Sequence, residues 1–495
     1  MTSDLYLGID QGTSSTKGVL IDGSGASIAE WSAAVPEVRY DERCVEQDAE
    51  GILSSVIDVF ARAQEIAKEQ DGVIRGAGLA IQRSGVLAWQ ASDGTPLCPM
   101  MTWADTRTYP QIQAFGRGGE IISGKTGIPT IPNFAAGKIH LLQRRFLDPV
   151  VHVGTLDSFL LFRLSGGKVF ITEDTMASRT MLYSLAERHW SDELCRQFEV
   201  DKRRLPRINP SMAPHTSYEG IPIVAILGDQ QAALIGRMNA ARRPLLTLGT
   251  IASLTVDTGA TPTIRPSLKT SVLYSRLVPN AAIREFQFLV EQTSPVTGTV
   301  LLEPLRRSWC ASTEHLQTLC DEAYRANPAG LATAYFVNKQ NPSNTWPRGI
   351  PNVMVCRQGA TIADRARAIV ENVGNLIVRV IEEMAEKGLL GEVFPAHLDL
   401  AGGGSDLDYL VQYVADVSGH TFHRFATREA GARGAACAAR MSVHGHDSVR
   451  GCNTEEPVKV FSCENPDRRK RYLMWQRMEQ DVLKNSLPPH AEIEE

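Results

Sequence analysis

The chain has 495 residues, of which 43% are hydrophobic and 22% are charged, and its formal net charge at pH 7 is −5. This length predicts about two to four domains, and the composition is typical of a globular protein. The acidic balance lacks the basic footprint of a nucleic-acid-binding protein, and no apolar run reaches the roughly 18 residues of a membrane-spanning helix. We therefore expect neither nucleic acid nor membrane as a partner.

The nine cysteines are dispersed, and no two of them form a Cys-x-x-Cys pair. This distribution argues against a zinc site and a disulfide framework, and favours reduced thiols. The first residues, MTSDLYLGID, carry an acid where a secretory signal carries basic residues. The expected location is therefore cytoplasmic.

The predicted elements begin with two strand-like runs, LYLGI and KGVLI, which flank the polar stretch DQGTSST. Glycine, serine and threonine favour turns, so the simplest interpretation is a β-hairpin from Leu5 to Asp22. A hairpin alone does not explain Asp10, because a carboxylate at the end of a buried strand is costly to desolvate. The alternative is a phosphate-binding turn, in which backbone N–H groups and hydroxyls bind phosphate and Asp10 is held for a metal ion.

Strand-like and helix-like stretches then alternate, as in α/β proteins. SIAEWSAAV is predicted to be a strand, and Ala49 to Glu69 a helix with apolar residues at helical spacing. GAGLAIQ and GVLAWQ are predicted strands around Arg83-Ser84. LDSFLLFRLSG predicts a helix that ends at Gly166-Gly167, and Ala363 to Glu386 predicts a long amphipathic helix.

A second hairpin is predicted from Leu245 to Gly259, where LLTLGTIASLTVDTG repeats the plan of the opening stretch. Two such hairpins indicate two domains of related plan, with a boundary near Met238 to Pro244. We therefore expect an N-terminal domain at residues 1–243 and a C-terminal domain at residues 244–495. The Pro- and Asn-rich segment 338–352 is predicted to be a loop.

A second strand-end carboxylate occurs in IPIVAILGDQQAALIGR, residues 221–237. Asp229 stands where the strand passes into a helix, and ligand sites of open α/β sheets collect at such junctions. Asp is also a common helix N-cap, which by itself is the simpler interpretation. The two roles do not exclude each other.

Three glycines follow the strand LDLAG within HLDLAGGGSDLDYLVQYVADVSG, residues 397–419, and precede an amphipathic helix. Glycines here permit a flat ligand or a phosphate to approach the backbone at a helix N-terminus. The turn fits neither GxGxxG nor the Walker pattern GxxxxGK[ST]. The following Ala/Gly-rich segment, REAGARGAACAAR at residues 428–440, predicts a helix that could pack tightly behind such a site, although a merely close-packed helix is the favoured interpretation.

In this order and spacing, DQGTSSTK, GDQQAAL, LGT, AGGGS and EAGARGAA resemble the motifs of the FGGY carbohydrate kinases, which belong to the actin-like ATPase superfamily. The resemblance covers nearly the whole chain. Within the family it is strongest to glycerol kinases, through DSFLLFRLSGG, TEDTMASRTMLYSL and Gln82-Arg83 followed by Trp103.

The resemblance implies an α/β fold of two actin-like (ribonuclease H-like) ATPase domains with a central cleft. It implies ATP-dependent phosphorylation of a hydroxyl of a small sugar or polyol, with ATP and Mg²⁺ as cofactors. The partner is then a small-molecule substrate, and a homodimer is compatible with this assignment.

The resemblance and the needs of phosphoryl transfer assign roles to single residues. Asp229 would accept the proton of the acceptor hydroxyl, and Asp10 would hold Mg²⁺ through water. The residues expected to bind the nucleotide are Gly12, Thr13, Ser14, Ser15, Gly249, Thr250, Gly402, Gly403 and Gly404. Those expected to line the acceptor pocket are Gln82, Arg83, Ser84, Trp103, Asp105 and Gln230.

Several positions depart from the glycerol-kinase pattern. Ser84 stands where glycerol kinases have a Glu that binds substrate hydroxyls, and Asn133 stands where they have an aromatic residue. The Lys–hydrophobic–x–Trp signature reads KIHL at Lys138, without the Trp. WADTR, residues 103–107, is as near to the W-N-D-x-R of pentulose kinases as to the glycerol-kinase form, and the Met-His pair of xylulose kinases is missing at Arg83-Ser84.

The shorter Ser84 side chain predicts an acceptor of four or five carbons, longer than glycerol. A pentulose kinase such as a xylulokinase or ribulokinase is the alternative to a glycerol-kinase-like enzyme. A less favoured alternative is an ATPase without a small-molecule acceptor.

Overall fold

The computed structural model describes residues 3–41, 43–115, 119–238, 243–249, 251–265, 268–278, 283–294, 310, 312–336, 352–391, 396–444, 455–484 and 491–494. In chain order the strands are β1 Ser3–Gln11, β2 Ser15–Asp22, β3 Ser27–Ala34, β4 Arg39–Asp41, β5 Cys44–Gln47, β6 Gly72–Ile81, β7 Val86–Gln90, β8 Met100–Met101, β9 Val151–Thr155, β10 Ile171–Glu173, β11 Tyr183–Ser184, β12 His189–Trp190, β13 Arg207–Asn209, β14 Met212–Tyr218 and β15 Ile221–Gly228. They continue with β16 Leu245–Leu248, β17 Ala252–Gly259, β18 Lys269–Leu277, β19 Arg284–Thr293, β20 Ala332–Tyr335, β21 Asn352–Cys356, β22 His397–Ala401, β23 Thr421–Arg424, β24 Lys459–Phe461 and β25 Ala491–Glu494.

The helices alternate with these strands. They are α1 Ala49–Glu69, α2 Tyr109–Phe115, α3 Gly119–Thr126, α4 Ala135–Arg145, α5 Leu156–Leu164, α6 Asp174–Ala177, α7 Asp192–Gln197, α8 Asp229–Arg237, α9 Thr313–Ala326, α10 Ile362–Glu386, α11 Asp408–Ser418, α12 Ala430–His444 and α13 Arg469–Leu483. Short 3-10 turns lie at Lys202–Arg204, Gly403–Asp406 and Pro466–Arg468. Within the described ranges, none of the helices has the length and apolar character needed to cross a membrane.

The elements predicted from periodicity are confirmed, and their ends have local causes. Helix α1 begins and ends at the predicted residues, and the Asp48 carboxylate caps it by accepting a hydrogen bond from the Gly51 N–H at 3.0 Å. Helix α10 begins one residue before its predicted start, after the capping box of Thr361 and Asp364. The predicted loop at 338–352 lies outside the described residues, apart from residue 352 at the start of β21.

The chain divides into two compact units. The first comprises Met1–Arg242, Asp257–Val290 and Glu429–Thr454, and the second comprises Arg243–Val256, Glu291–Arg428 and Glu455–Glu495. The first crossing of the chain lies within one residue of the expected boundary at 243. The expected division cuts the chain once. The compact units need more than one cut, because two later segments return to the first unit.

The sheet of the first unit follows the order β19-β18-β14-β15-β6-β1-β2-β3. Strand β1 pairs antiparallel with β2 and parallel with β6, and β6 pairs parallel with β15. Neighbouring parallel strands end at the same edge of a sheet. The chain therefore brings the ends of β1, β6 and β15 together, and these are the predicted site positions Asp10, Gln82 and Asp229.

The second unit repeats this local plan in the order β24-β23-β22-β16-β17. Strand β16 pairs antiparallel with β17 and parallel with β22, and β22 pairs parallel with β23. The predicted second hairpin is confirmed, with residue 250 of its turn outside the described residues. The shared strand pattern accounts for the internal similarity seen in the sequence.

Helix α12 packs very closely within the first unit. Leu7 and Ile9 belong to a buried apolar core with α1, and side chains alternate along a strand, so Gly8 faces the other way. A Cβ on Gly8 would clash with the carbonyl oxygen of Ala432, and one on Gly434 would clash with that of Ala232. The predicted close-packed helix is thus confirmed, and glycine is required where backbones touch.

Candidate active site

The first hairpin presents Asp10 at one end of the sheet. Asp10 is opposite Lys17 in the β1–β2 pairing, and the Gly12 N–H closes the turn by donating to the Ser15 carbonyl at 3.0 Å. A Cβ on Gly431 would clash with the Asp10 carboxylate. The carboxylate therefore lies at the first turn of α12, where the helix dipole favours negative charge.

Asp10 sits in an excess of negative charge. Burial first, and then the carboxylates of Asp229 and Glu429, raise the pKa of Asp10 to about 7, although Lys17 acts against them. The Lys17 Nζ is paired with Glu429 Oε2 at 2.6 Å. Among the described residues no cluster of three or more His, Cys, Asp or Glu could itself hold a metal ion. The chemistry of the Asp10–Asp229 pair fits a divalent cation that also binds other ligands, because a cation relieves their repulsion.

Asp229 is the first residue of α8, and the helix N-cap is Gly228. The simpler interpretation of Asp229 as the cap is therefore wrong, because the preceding glycine takes that position. The Asp229 Oδ1 lies 2.8 Å from Arg83 Nε and accepts a hydrogen bond from the Gln230 N–H at 2.8 Å. Its side chain remains 32% exposed, against 11% for Arg83. The carboxylate is thus oriented by a buried guanidinium and open to a ligand.

A hydrogen-bond network joins the predicted phosphate turn to the predicted acceptor residues. The Thr13 hydroxyl accepts from Trp103 Nε1 at 3.2 Å and donates to Gln82 Oε1 at 3.4 Å. Gln47 Nε2 donates to the Thr13 carbonyl at 3.0 Å, and Gln82 Nε2 donates to Gln11 Oε1 at 3.1 Å. Gly12, Thr13 and Ser15 are partly buried, while Ser14 is exposed at the tip of the turn.

Ser84 occupies an unusual backbone conformation beside Arg83. Its φ is +64°, which few non-glycine residues adopt. The side chain is buried, and its hydroxyl donates to the carbonyl of Arg179 at 3.4 Å. The Arg179 guanidinium lies 4.9 Å from the centre of the Phe134 ring. Ser84 is therefore turned towards the Arg179 segment.

The predicted glycine-rich turn lies against the end of β16 in the second unit. Gly402 has a φ of +83°, and a Cβ there would lie 2.6 Å from the Leu248 carbonyl oxygen. A Cβ on Gly404 would lie 2.9 Å from the same oxygen, whereas Gly403 is exposed with open space around it. The fold thus brings Gly249 and the three glycines together, while Thr250 lies outside the described residues.

Two family models match the sequence of this chain, whose fold has the strand-end carboxylates and the two hairpins described above. The N-terminal domain model of the FGGY family of carbohydrate kinases matches residues 5–236, and the C-terminal domain model matches residues 246–443. The chain belongs to this family. It is an ATP-dependent carbohydrate kinase, which phosphorylates a hydroxyl of a small sugar or polyol. The predicted family and enzyme class are confirmed.

Relatives of this FGGY kinase include a glycerol kinase of Cereibacter sphaeroides, 28% identical over 464 residues, which cover 88% of this chain and 90% of the relative. Among solved structures, Plasmodium falciparum glycerol kinase with ADP has a TM-score of 0.83 at 20% identity, covering 97% of this chain and 99% of that one. Ligand-bound xylulose kinase from Lactobacillus acidophilus has a TM-score of 0.79 at 20% identity, covering 97% and 98%. These likenesses confirm the predicted α/β fold of two actin-like ATPase domains.

One predicted acceptor residue of this FGGY kinase is placed differently from the others. Asp105 is 0% exposed, and its carboxylate accepts from the Val45 N–H at 2.8 Å and from the N–H and guanidinium of Arg107. Arg107 also pairs with Glu46 at 2.6 Å. An acceptor has no access to a carboxylate that is enclosed in this way, so Asp105 is a structural residue of the loop after Trp103.

Lys138 is a residue whose position the sequence reasoning missed, although its signature was noted. It is 0% exposed, and its Nζ donates to the carbonyls of Thr102, Asn133 and Ser84 at 2.6, 2.8 and 3.1 Å. The three carbonyls come from separate segments, which also carry Ser84, Trp103 and Asn133. The buried Lys138 side chain therefore ties together three segments that carry predicted acceptor residues or their neighbours.

Lys138→Met should flatten part of the pH dependence of stability. Burial lowers the pKa of Lys138 from 10.5 to about 7. Between these values the unfolded chain binds a proton that the folded chain does not, so this lysine makes stability rise with pH, by about 1.4 kcal/mol per unit. Urea unfolding of wild type and variant at pH 7 and pH 9 measures the difference.

The matched control is Lys125→Met, which removes a lysine paired with Glu193 at the surface. It should keep the wild-type slope of stability against pH. Equal slopes in wild type and Lys138→Met would contradict the assignment of this titration to Lys138.

Proposed function

We propose that this kinase transfers the γ-phosphoryl group of ATP to a hydroxyl of a polyol or ketose with four or five carbons. The observation that carries this proposal is Ser84, a short neutral side chain at the position of the substrate-binding Glu of glycerol kinases. Its hydroxyl donates to the Arg179 carbonyl, and its side chain is shorter than that of a glutamate, which would suit a longer acceptor. Among the described residues, Gln230 Oε1 is buried without a hydrogen-bond partner, which suits a ligand hydroxyl.

Asp229 acts as the base in this proposal. It accepts the proton of the acceptor hydroxyl while that oxygen forms a bond to the γ-phosphorus and the bond from phosphorus to the bridging β–γ oxygen breaks. Arg83 Nε, 2.8 Å from Asp229 Oδ1, would hold the carboxylate in a fixed orientation towards the acceptor hydroxyl. Gln82, Trp103 and Gln230 would supply the remaining polar contacts to the acceptor.

The nucleotide residues follow the same scheme. Backbone N–H groups and hydroxyls of Gly12, Thr13, Ser14 and Ser15 would bind the β- and γ-phosphates. Gly249 and Thr250 would also contact phosphate, and Gly402, Gly403 and Gly404 would flank the adenosine. Asp10 would hold Mg²⁺ through water, and the ion would neutralise charge on the phosphates.

Several wider expectations belong to this proposal. The dispersed cysteines support a cytoplasmic location, and the acidic net charge supports a protein without nucleic-acid or membrane partners. We further propose kinase domains that divide along the sequence into residues 1–243 and 244–495, from which residues 257–290 and 429–454 return to the first compact unit, and a homodimer as the assembly to test by sedimentation.

A pentulose kinase is the most specific form of this proposal. WADTR at residues 103–107 is compatible with it, because this stretch is as near to the W-N-D-x-R of pentulose kinases as to the glycerol-kinase form, although the Met-His pair of xylulose kinases is missing at Arg83-Ser84. A ketose such as xylulose or ribulose has five carbons, in agreement with the longer acceptor that the short Ser84 side chain predicts.

Acceptor choice is testable by ADP release with glycerol, erythritol, xylulose, ribulose and gluconate. Glycerol would leave polar groups near Arg83 unpaired, at about 1–3 kcal/mol for each missing hydrogen bond. This corresponds to a factor of about 10–100 in kcat/KM in favour of a four- or five-carbon acceptor. Ser84→Glu should raise kcat/KM for glycerol, whereas Ser217→Glu, a new charge at an exposed position, should not.

A micromolar KM for glycerol in the wild type, together with no effect of Ser84→Glu, would contradict the acceptor proposal. ATP turnover that needs no added acceptor would instead favour the ATPase alternative.

A further inference from the structure

The motif TEDT, residues 172–175, lies next to the start of α8. The Thr175 hydroxyl accepts a hydrogen bond from the backbone N–H of Gly228 at 2.8 Å and donates to the Glu173 carboxylate. Thr175 and Glu173 are both 0% exposed. Gly228 is the N-cap of α8, so the residue that Thr175 holds is bonded directly to Asp229.

The Glu173 carboxylate fixes the direction of the Thr175 hydroxyl. It also accepts from the N–H groups of Thr175 and Met176 and from the Ser211 hydroxyl, each at 2.7 Å. With these donors facing Glu173, the Thr175 hydroxyl has its hydrogen directed to the carboxylate. A lone pair of its oxygen then faces Gly228.

The start of α8 needs such an anchor. A glycine cap supplies no side-chain hydrogen bond, and none is present here, and glycine backbones have the greatest conformational freedom. Arg83 Nε pairs with the carboxylate of Asp229, and the aliphatic part of Arg83 packs beside Gly228. Thr175 accepts the hydrogen bond of the Gly228 backbone N–H, and a displacement of about 1 Å in a reacting group can cost about 10²-fold in rate.

We propose that Thr175 is a positioning residue for Asp229, acting through the N–H of Gly228 and oriented by Glu173. The inference rests on the proposed function of Asp229 as the base. A positioning role predicts a loss in kcat, with the KM values for ATP and acceptor nearly unchanged, because Thr175 is 0% exposed and acts through the Gly228 N–H.

Thr175→Val and Thr175→Ser test the role at nearly constant volume. Thr175→Val removes the hydroxyl and should lower kcat about tenfold or more, with glycerol and with xylulose as acceptors, while both KM values stay within about threefold. Thr175→Ser retains the hydroxyl and should keep kcat within about twofold. Thr126→Val is the matched control, because Thr126 is also buried and its hydroxyl also donates, to the Ile122 carbonyl at 2.8 Å, and accepts from a backbone N–H, that of Ile128 at 3.3 Å; it should keep kcat near wild type.

A double-mutant cycle separates positioning from a general structural effect. In an Asp229→Asn background, Thr175→Val should cause no further loss of kcat, because there is no base left to position. If the double variant loses the product of the two single-variant factors in kcat, the inference is overturned. A Thr175→Ser variant with a kcat as low as that of Thr175→Val would overturn it too. If Thr175→Val does not fold, Thr175→Cys replaces it, and a wild-type kcat in that variant overturns the inference. A near-normal kcat in Asp229→Asn alone instead marks failure of the proposed base.

Discussion

Asp229→Asn should lower kcat by a factor of about 10² or more, a typical loss for a general base. Asparagine keeps the shape and can still accept the hydrogen bond from the Gln230 N–H, so the start of α8 should remain folded. It cannot take the proton of the acceptor hydroxyl. Steady-state ADP release and circular dichroism of wild type and variant measure the two expectations separately.

The matched control is Asp192→Asn, since Asp192 is also the first residue of its helix, α7, and also pairs with a cation, Lys202, at 2.8 Å. It lies on the surface and should keep wild-type kcat. Near-normal turnover in Asp229→Asn would leave Asp229 as a partner of Arg83 with no role as base.

Asp10→Asn should have opposite effects on activity and on stability. The pKa of Asp10 is about 7, against 3.8 for an ordinary Asp. The folded chain therefore binds a proton between about pH 4 and pH 7 that the unfolded chain has lost, and this carboxylate makes stability fall as pH rises through that window. Asparagine removes the cost, so the ligand-free variant should unfold at higher temperature at pH 8, with a gain of about 2 kcal/mol, reduced for partial exposure.

The gain should shrink towards zero at pH 4.5, where Asp10 is protonated in the folded protein. Activity should move the other way, because the variant lacks the carboxylate proposed to hold Mg²⁺, and the Mg²⁺ concentration for half-maximal rate should rise at least tenfold. Thermal unfolding at both pH values and a Mg²⁺ titration provide the measurements. An unchanged Mg²⁺ titration in Asp10→Asn would contradict a role of Asp10 at the metal site. Equal unfolding temperatures of wild type and variant at pH 8 would contradict the conclusion that the ionised Asp10 carboxylate destabilises the ligand-free protein.

Sequence reasoning located the strand-end residues because position alone determines them. Asp10 and Asp229 each follow an apolar run, and parallel pairing of β1, β6 and β15 brings such ends together. The cap at α8 was misjudged because Asp229 has a glycine before it, and a glycine N-cap has no side chain to identify it. The type of each element, and the edge of the sheet at which the site lies, were therefore predictable from local sequence pattern.

Contacts between distant segments were not predictable in the same way. Lys138 binds carbonyls, which every residue has, so no sequence pattern marks its three acceptors. Asp105 resembled a pocket residue, but its enclosure depends on Val45 and on the fork of Arg107. The small residues of α12 indicate that its backbone lies against another backbone. They do not identify the partner, so the return of residues 429–454 to the first unit was not predictable from them.

The membership of α12 in the first unit has a consequence for biosynthesis. The face of β1 and β6 that carries Gly8 is matched to this helix, and the helix is encoded about 190 residues after the last residue of α8. While the ribosome translates the intervening segments, that face of the nascent sheet has no helix on it. A fragment truncated at residue 243 would stay in this condition permanently, so the maturation of the first unit is tied to synthesis of nearly the whole polypeptide.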